Sequence, residues 1–340
     1  MILFFTCIFL FLILFILFNI LLEIRDTSEK FDSESKIKVC CNHDEENGNR
    51  GLIDMFSQYL PKNKKILISG SFIDSDEKVE KIRSFKGLKI LFVSEPIEWF
   101  FKPGYELYQK GMFDIVIGCV SNMITLNPHR NKIIKHIKYP IYLFSPLLSS
   151  SSVFEDVNRM VKEVKEDDLS KKKFCSLINT HDRGNTRTGI YKKLLQIGDI
   201  TCPSKLFNNV SNEELNRVGK VEYGKKFIFS ICPENVDVKD ASLKGYVTEK
   251  IMDACLSGCI PIYFGKMDEV DLRIFNKNRI LFYNPSDQGS VQKVFDKVKS
   301  LMNNREELLT FYKQEVFLNT ATETVEMIKN NLKYQLELLH

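Results

Sequence analysis

Tyr246, Val247, Thr248, Glu249 and Lys250 carry the densest chemistry in this 340-residue chain. They follow an apolar run, Phe227 to Cys232, and a polar loop, and they lead towards a second apolar run, Ile260 to Gly265. The spacing predicts a helix that begins at Tyr246. On it Tyr246, Glu249 and Lys250 stand at i, i+3 and i+4 and share one face. Val247, Ile251, Ala254 and Cys255 form a separate apolar face that can pack on a sheet. A phenol, a carboxylate and an ammonium would then meet at a helix N-terminus, where unpaired N–H groups and the positive end of the dipole favour a diphosphate. An ordinary amphipathic helix with solvated charges shows the same spacing.

The stretch resembles the donor-binding signature of the fucosyltransferases of glycosyltransferase family 10. There a strand leads to Glu-Asn, then Tyr-Val-Thr-Glu-Lys, then a Gly-x-x-Pro turn. The matching residues are Glu234 and Asn235, Tyr246 to Lys250, and Gly258 with Pro261. The loop from Asn235 to Tyr246 is longer than in many members. The resemblance implies an inverting transfer of fucose from GDP-fucose, the donor substrate, to a hydroxyl of an acceptor glycan, in α-1,3 linkage. Such a transfer needs a base for the acceptor hydroxyl, positive charge for the departing diphosphate, and a sugar held with its anomeric carbon towards the attacking oxygen. Glu95 is the candidate base: it directly follows the apolar run Ile90 to Ser94, at a strand's carboxyl end, where the family carries its proposed base. This chain has Glu95-Pro96 where the family usually shows Glu-Asn, and Glu98 is close by. For the donor the resemblance implies Arg187, near the start of a helix, and Lys250 on the diphosphate, Glu249 on the ribose hydroxyls, Tyr246 against the nucleotide and Asn235 on the sugar or its phosphate. A guanidinium can grip phosphate oxygens in a bidentate manner.

These groups need a scaffold. Short runs rich in Ile, Leu and Val at 65–70, 88–96, 113–120 and 139–146 read as buried parallel strands. A second series reads as strands at 174–179, 227–232, 260–265 and 279–285, with a short extended piece at 201–204 and helices at 186–197 and, at the C-terminal end, around 288–302, 305–317 and 321–338. A helix at 151–168 is the expected connection. The fold class expected is α/β, with two Rossmann-like doubly wound domains of GT-B type, 50–165 on the acceptor side and 166–340 on the nucleotide-sugar side. Ligands of such sheets lie at the carboxyl ends of the strands, here in the cleft between halves.

Composition fits a folded protein, with 44% apolar and 27% charged residues, and a net charge of +4 spread along the chain gives no sign of nucleic-acid binding. Met1 to Leu22 has no charged side chain and is long enough to span a bilayer as a transmembrane signal-anchor. Residues 23–49 read as a polar stem. Arg25 and Lys30 follow the span, which argues weakly for a cytoplasmic body; the family implies instead a type II protein with a luminal body in a Golgi-like compartment. Nine cysteines show no metal spacing and do not decide the compartment. Asn209 opens an Asn-Val-Ser glycosylation sequon. Asp74-Ser75-Asp76 is a D-x-D triplet before a charged helix, where a cap is the expected role. No obligatory metal is expected; a loosely bound divalent cation could stimulate. Two other readings share these residues: a glycosyltransferase for another nucleotide sugar, and an inactive carbohydrate-binding protein on the same fold.

Overall fold

The computed structural model of the protein describes residues 37–41, 56, 59–60, 63–94, 102–119, 125–127, 132–235 and 245–338. The first sheet has six strands: β1 (Ile37–Cys40), β2 (Ile66–Ser69), β3 (Leu88–Val93), β4 (Ile115–Gly118), β5 (Thr125–Asn127) and β6 (Lys132–Lys138), ordered β1-β2-β3-β4-β6-β5. All pairs are parallel except β5 with β6. The central strands β2 and β4 are buried along their whole length, which is why they read as unbroken apolar runs. Helices α1 (Asp76–Ser84) and α2 (Lys102–Gln109) make the crossovers. Ser75 caps α1 by accepting from Lys78 N, and Asp74 pairs with Lys78 at 3.0 Å, so the D-x-D triplet serves as a helix start.

Helices α3 (Val153–Glu163) and α4 (Glu166–Ser170) lead to the second sheet. Its strands are β7 (Lys173–Leu177), β8 (Ile200–Thr201), β9 (Phe227–Ile231), β10 (Ile260–Tyr263) and β11 (Leu281–Phe282), all parallel, ordered β11-β10-β9-β7-β8. Around it lie α5 (Thr188–Leu194), α6 (Glu213–Val218), α7 (Lys220–Gly224), α8 (Glu249–Leu256), α9 (Gln288–Asn303), α10 (Arg305–Tyr312) and α11 (Ala321–Glu337). The last helix, α11, turns back to the first half: it packs on β6, and Lys329 Nζ donates to Leu148 O at 3.3 Å.

Several expectations are corrected. Residues 139–146 form 3-10 turns, Ile141–Phe144 and Pro146–Ser149, because Pro140 and Pro146 bring no N–H to a ladder; the strand lies upstream, as β6. The stretch read as stem contributes β1, which pairs with β2 from Ile37↔Ile66 to Cys40↔Ser69. Helices α6 and α7 are absent from the sequence reading; neither has the long apolar stripe that periodicity detects. Met1 to Leu22 lies outside the described residues. Among the described residues no helix is long and apolar enough to cross a membrane. The eight described cysteines are buried free thiols. Asn209, the sequon residue, uses its amide structurally: Oδ1 accepts from Cys202 N and Nδ2 donates to Ile200 O, both at 2.8 Å.

Candidate active site

The site is built on Glu234, just beyond the C-terminal end of β9. Cys232 N donates to Ile262 O at 3.0 Å and Glu234 N to Phe264 O at 2.8 Å, so sheet pairing continues past the strands and fixes the carboxylate. Glu234 is fully buried. Its oxygens accept from Thr248 N at 2.8 Å, Thr248 Oγ1 at 2.6 Å, Tyr263 OH at 3.0 Å and Lys250 Nζ at 3.4 Å. Burial pushes its carboxyl above the usual range, against the pull of Lys250 and the Thr248 donors. A buried carboxylate is tolerated only when its lone pairs are filled, and these are.

This arrangement moves the start of the helix. Thr248 is the N-cap, in extended conformation, and α8 begins at Glu249. Tyr246 therefore precedes the helix and does not share its face with Glu249 and Lys250; its ring is 1% exposed, within the core. The expected apolar face stands: Val247, Ile251, Ala254 and Cys255 are all buried. Lys250 is 15% exposed at its side chain, with Nζ 2.8 Å from Thr248 Oγ1 and 3.7 Å from Glu249 Oε1. Glu249 lies 3.9 Å from Lys220, which is equally far from Asp253 one turn along α8. A small cavity of about 30 Å³ opens here, lined by Asn179, Lys220, Lys250, Asp253, Ser176 and Ser230 among others. Burial pushes the Asp253 carboxyl up to about 6.

Arg187 stands on the other side of the Glu234–Asn235 pair. The preceding turn passes through Gly184 and Asn185, both at positive φ. Asp182 then caps α5: Oδ1 accepts from Arg187 N and Oδ2 from Thr188 N, each at 2.9 Å. The Arg187 side chain is fully buried. Its Nη2 donates to Pro233 O at 3.1 Å and to Asn235 Oδ1. Nη1 lies 3.9 Å from Asp182 Oδ1, and neither Nε nor Nη1 has a hydrogen-bond partner among the described residues. Unpaired donors on a buried cation are costly unless an anion completes them. Burial also pulls the Arg187 pKa down, while nearby Tyr283, Asp182 and Glu234 hold it up.

Arg187, Asn235, Glu249 and Lys250 are thus brought together around Glu234, and Tyr246 is buried in the core near Arg187. Glu95 lies outside the described residues, one position beyond Ser94. Sequence reasoning assigns no role to Glu234, Asp182, Lys220 or Asp253. Glu234 carried a signal, since it stands in the Glu-Asn pair, but its part depends on burial. Among the described residues no group of three His, Cys, Asp or Glu is placed to hold a metal ion.

Two α/β halves, the first on a mostly parallel sheet and the second on a fully parallel sheet with the polar site at its strand ends, have the GT-B architecture. Two solved structures of alpha1,3-fucosyltransferase, one described with GDP-fucose, match this fold with TM-scores of 0.56 and 0.57 at 18% and 17% identity, covering 88% of this chain and 90% and 89% of theirs. The alpha-(1,3)-fucosyltransferase FucT of Helicobacter pylori is 29% identical over 140 residues, 41% of this chain. This chain spans 27% of the length of that relative. Residues 168–333 match the model of "Glycosyltransferase family 10 (fucosyltransferase) C-term".

Proposed function

We propose that the chain is an inverting fucosyltransferase that moves fucose from GDP-fucose to a hydroxyl of an acceptor glycan, in α-1,3 linkage. The observation that carries this reading is the pair of cations around Glu234 and Asn235: Lys250 at the Thr248-capped start of α8, and buried Arg187 with its Nε and Nη1 donors unpartnered among the described residues. A departing GDP needs this kind of site: fixed positive charge and N–H donors where negative charge develops as the bond from the anomeric carbon to the diphosphate breaks. Glu249 holds the ribose hydroxyls, Asn235 the sugar or its phosphate, and Tyr246 supports the nucleotide. Glu95 takes the acceptor proton as the acceptor oxygen attacks the anomeric carbon from the face opposite GDP. Support for Glu95 comes from register: Val93 pairs with Gly118, so the end of β3 lies one strand from the end of β4, whose next residue, Cys119, adjoins Gly245. A loosely bound divalent cation would add to the charge on the diphosphate.

The test is mass spectrometry of products from GDP-fucose and a glycan array, with UDP- and GDP-linked sugars other than fucose as parallel donors. A glycan gaining one deoxyhexose from GDP-fucose alone is expected. Transfer from another donor only, or GDP-fucose binding with no product on any glycan, would overturn the reading. We also propose that residues 1–22 anchor the chain in a bilayer with the body in the lumen; release of the full chain by alkaline carbonate extraction would refute the anchor.

A further inference from the structure

Lys138, Tyr142, Asp268 and Asp271 form a buried ionic cluster between the two halves. Lys138 is the last residue of β6, and Tyr142 lies in the 3-10 turn that follows. Asp268 and Asp271 come from the segment after β10. Lys138 Nζ donates to Asp268 Oδ2 at 2.6 Å and to Asp271 Oδ2 at 3.0 Å, and Tyr142 OH donates to Asp271 Oδ1 at 3.0 Å. Asp268 Oδ1 also accepts from the N–H groups of Val270 at 2.9 Å and Asp271 at 3.0 Å, and Asp268 N donates to Asp271 Oδ2 at 3.1 Å. The three charged side chains are 7% exposed or less. Burial pushes the Asp271 carboxyl up to about 7 against the pull of Lys138. For Asp268, burial is outweighed by Lys138 and the Asp271 backbone donor, and its carboxyl lies below the usual range.

The same cluster touches the donor motif. Gly245, immediately before Tyr246, has φ +92, and a Cβ there would stand 2.8 Å from Asp268 Oδ2 and 3.2 Å from the carbonyl of Cys119. Gly245 N donates to Lys266 O at 2.7 Å, and Val247 N donates to Gly245 O at 3.0 Å. The start of the donor motif, the ionic cluster and the residue after β4 therefore meet at one point.

We propose that Lys138, Asp268 and Asp271 are positioning residues that hold the donor motif at a fixed separation from the carboxyl ends of the first-sheet strands. Apolar contact between halves would tolerate sliding; an ammonium shared by two buried carboxylates is satisfied in one arrangement, and parting the halves here would strand charge in a dry interface. Opening motions therefore pivot about this point. The inference rests on the fucosyl-transfer reading for its kinetic readout only.

The test uses the full chain with Lys138→Met and the isosteric Asp271→Asn. GDP affinity is measured by calorimetry, donor kcat and KM by transfer assay, and backbone opening by hydrogen exchange over 136–139 and 245–249. Lys138→Met is expected to lower kcat about 10–100-fold while changing GDP affinity less than about threefold, since misplacement falls on the reacting geometry and not on the nucleotide. Both segments should exchange faster together, and Asp271→Asn should move every readout the same way by less. Unchanged kcat, or GDP affinity falling in step with kcat, would overturn the proposal. If Lys138→Met does not fold, Asp271→Asn decides by the same criteria. If the wild type transfers no fucose, the functional reading fails, and exchange still decides: acceleration of both segments supports the clamp, and acceleration of one or neither refutes it.

Discussion

Replacing Lys250 with alanine removes the ammonium at the start of α8. In the structure that ammonium lies 2.8 Å from Thr248 Oγ1 and 3.4 Å from Glu234 Oε2. Two unit charges about 4 Å apart attract by about 4 kcal/mol at an effective dielectric constant of about 20. Glu234 already neutralises part of this charge, so a diphosphate gains about half of it, ~2 kcal/mol, or a ~30-fold change in GDP dissociation constant. The assay is titration calorimetry of GDP into wild type and Lys250→Ala near neutral pH. GMP, which lacks the second phosphate, is the control and should lose much less. Thermal unfolding checks integrity, because the variant leaves the buried Glu234 carboxylate without its cation. GDP affinity unchanged within about twofold, or an equal loss for GMP, would refute the assignment of Lys250 to the diphosphate.

Glu234→Gln keeps the shape but turns one acceptor into a donor facing Thr248 or Lys250. Losing one charge-assisted hydrogen bond costs about 1.5–3 kcal/mol, so the C-terminal half should melt about 5 °C lower by calorimetry; an unchanged midpoint would mean the carboxylate does not organise the cap. For Asp253, burial places the carboxyl at about 6, above its ordinary 3.8. A folded-state pKa above the unfolded one gives stability that is full below pH about 4 and lost as pH rises through about 6. Asp253→Asn should therefore gain up to about 2 kcal/mol over wild type at neutral pH, with the two curves converging in acid; parallel stability–pH curves would contradict this. Gly245→Ala should lose about 1–3 kcal/mol by denaturant titration, since alanine is strained at φ +92 and its Cβ would press on Asp268; wild-type stability would show that the segment shifts freely.

The central strands were legible because each is a short apolar run closed by Gly, Pro or Lys. β2, β4 and β10 are buried at every residue, so the sequence pattern and the packing coincide. β6 was not legible. Its sequence, Lys-Ile-Ile-Lys-His-Ile-Lys, looks half solvated, and Lys138 is buried only because two aspartates about 130 residues later accept its charge. The apolar run after it reads as a strand from its composition, while Pro140 and Pro146 direct it into turns. The start of α8 was misplaced for a tertiary reason: Tyr246 and Val247 suit a helix, but Glu234 fixes Thr248 in extended geometry as the cap. The Arg187, Asn235, Glu249 and Lys250 grouping was legible through its motif. Glu234 and Asp182, which hold that grouping in shape, reveal their roles only through burial and hydrogen bonding.

The most direct test of the account is a crystal structure of the chain with GDP. The account predicts diphosphate oxygens within hydrogen-bond distance, about 3 Å, of both Lys250 Nζ and Arg187 Nε or Nη1, at the Thr248-capped end of α8. GDP bound elsewhere, or a diphosphate that touches neither cation, would contradict it.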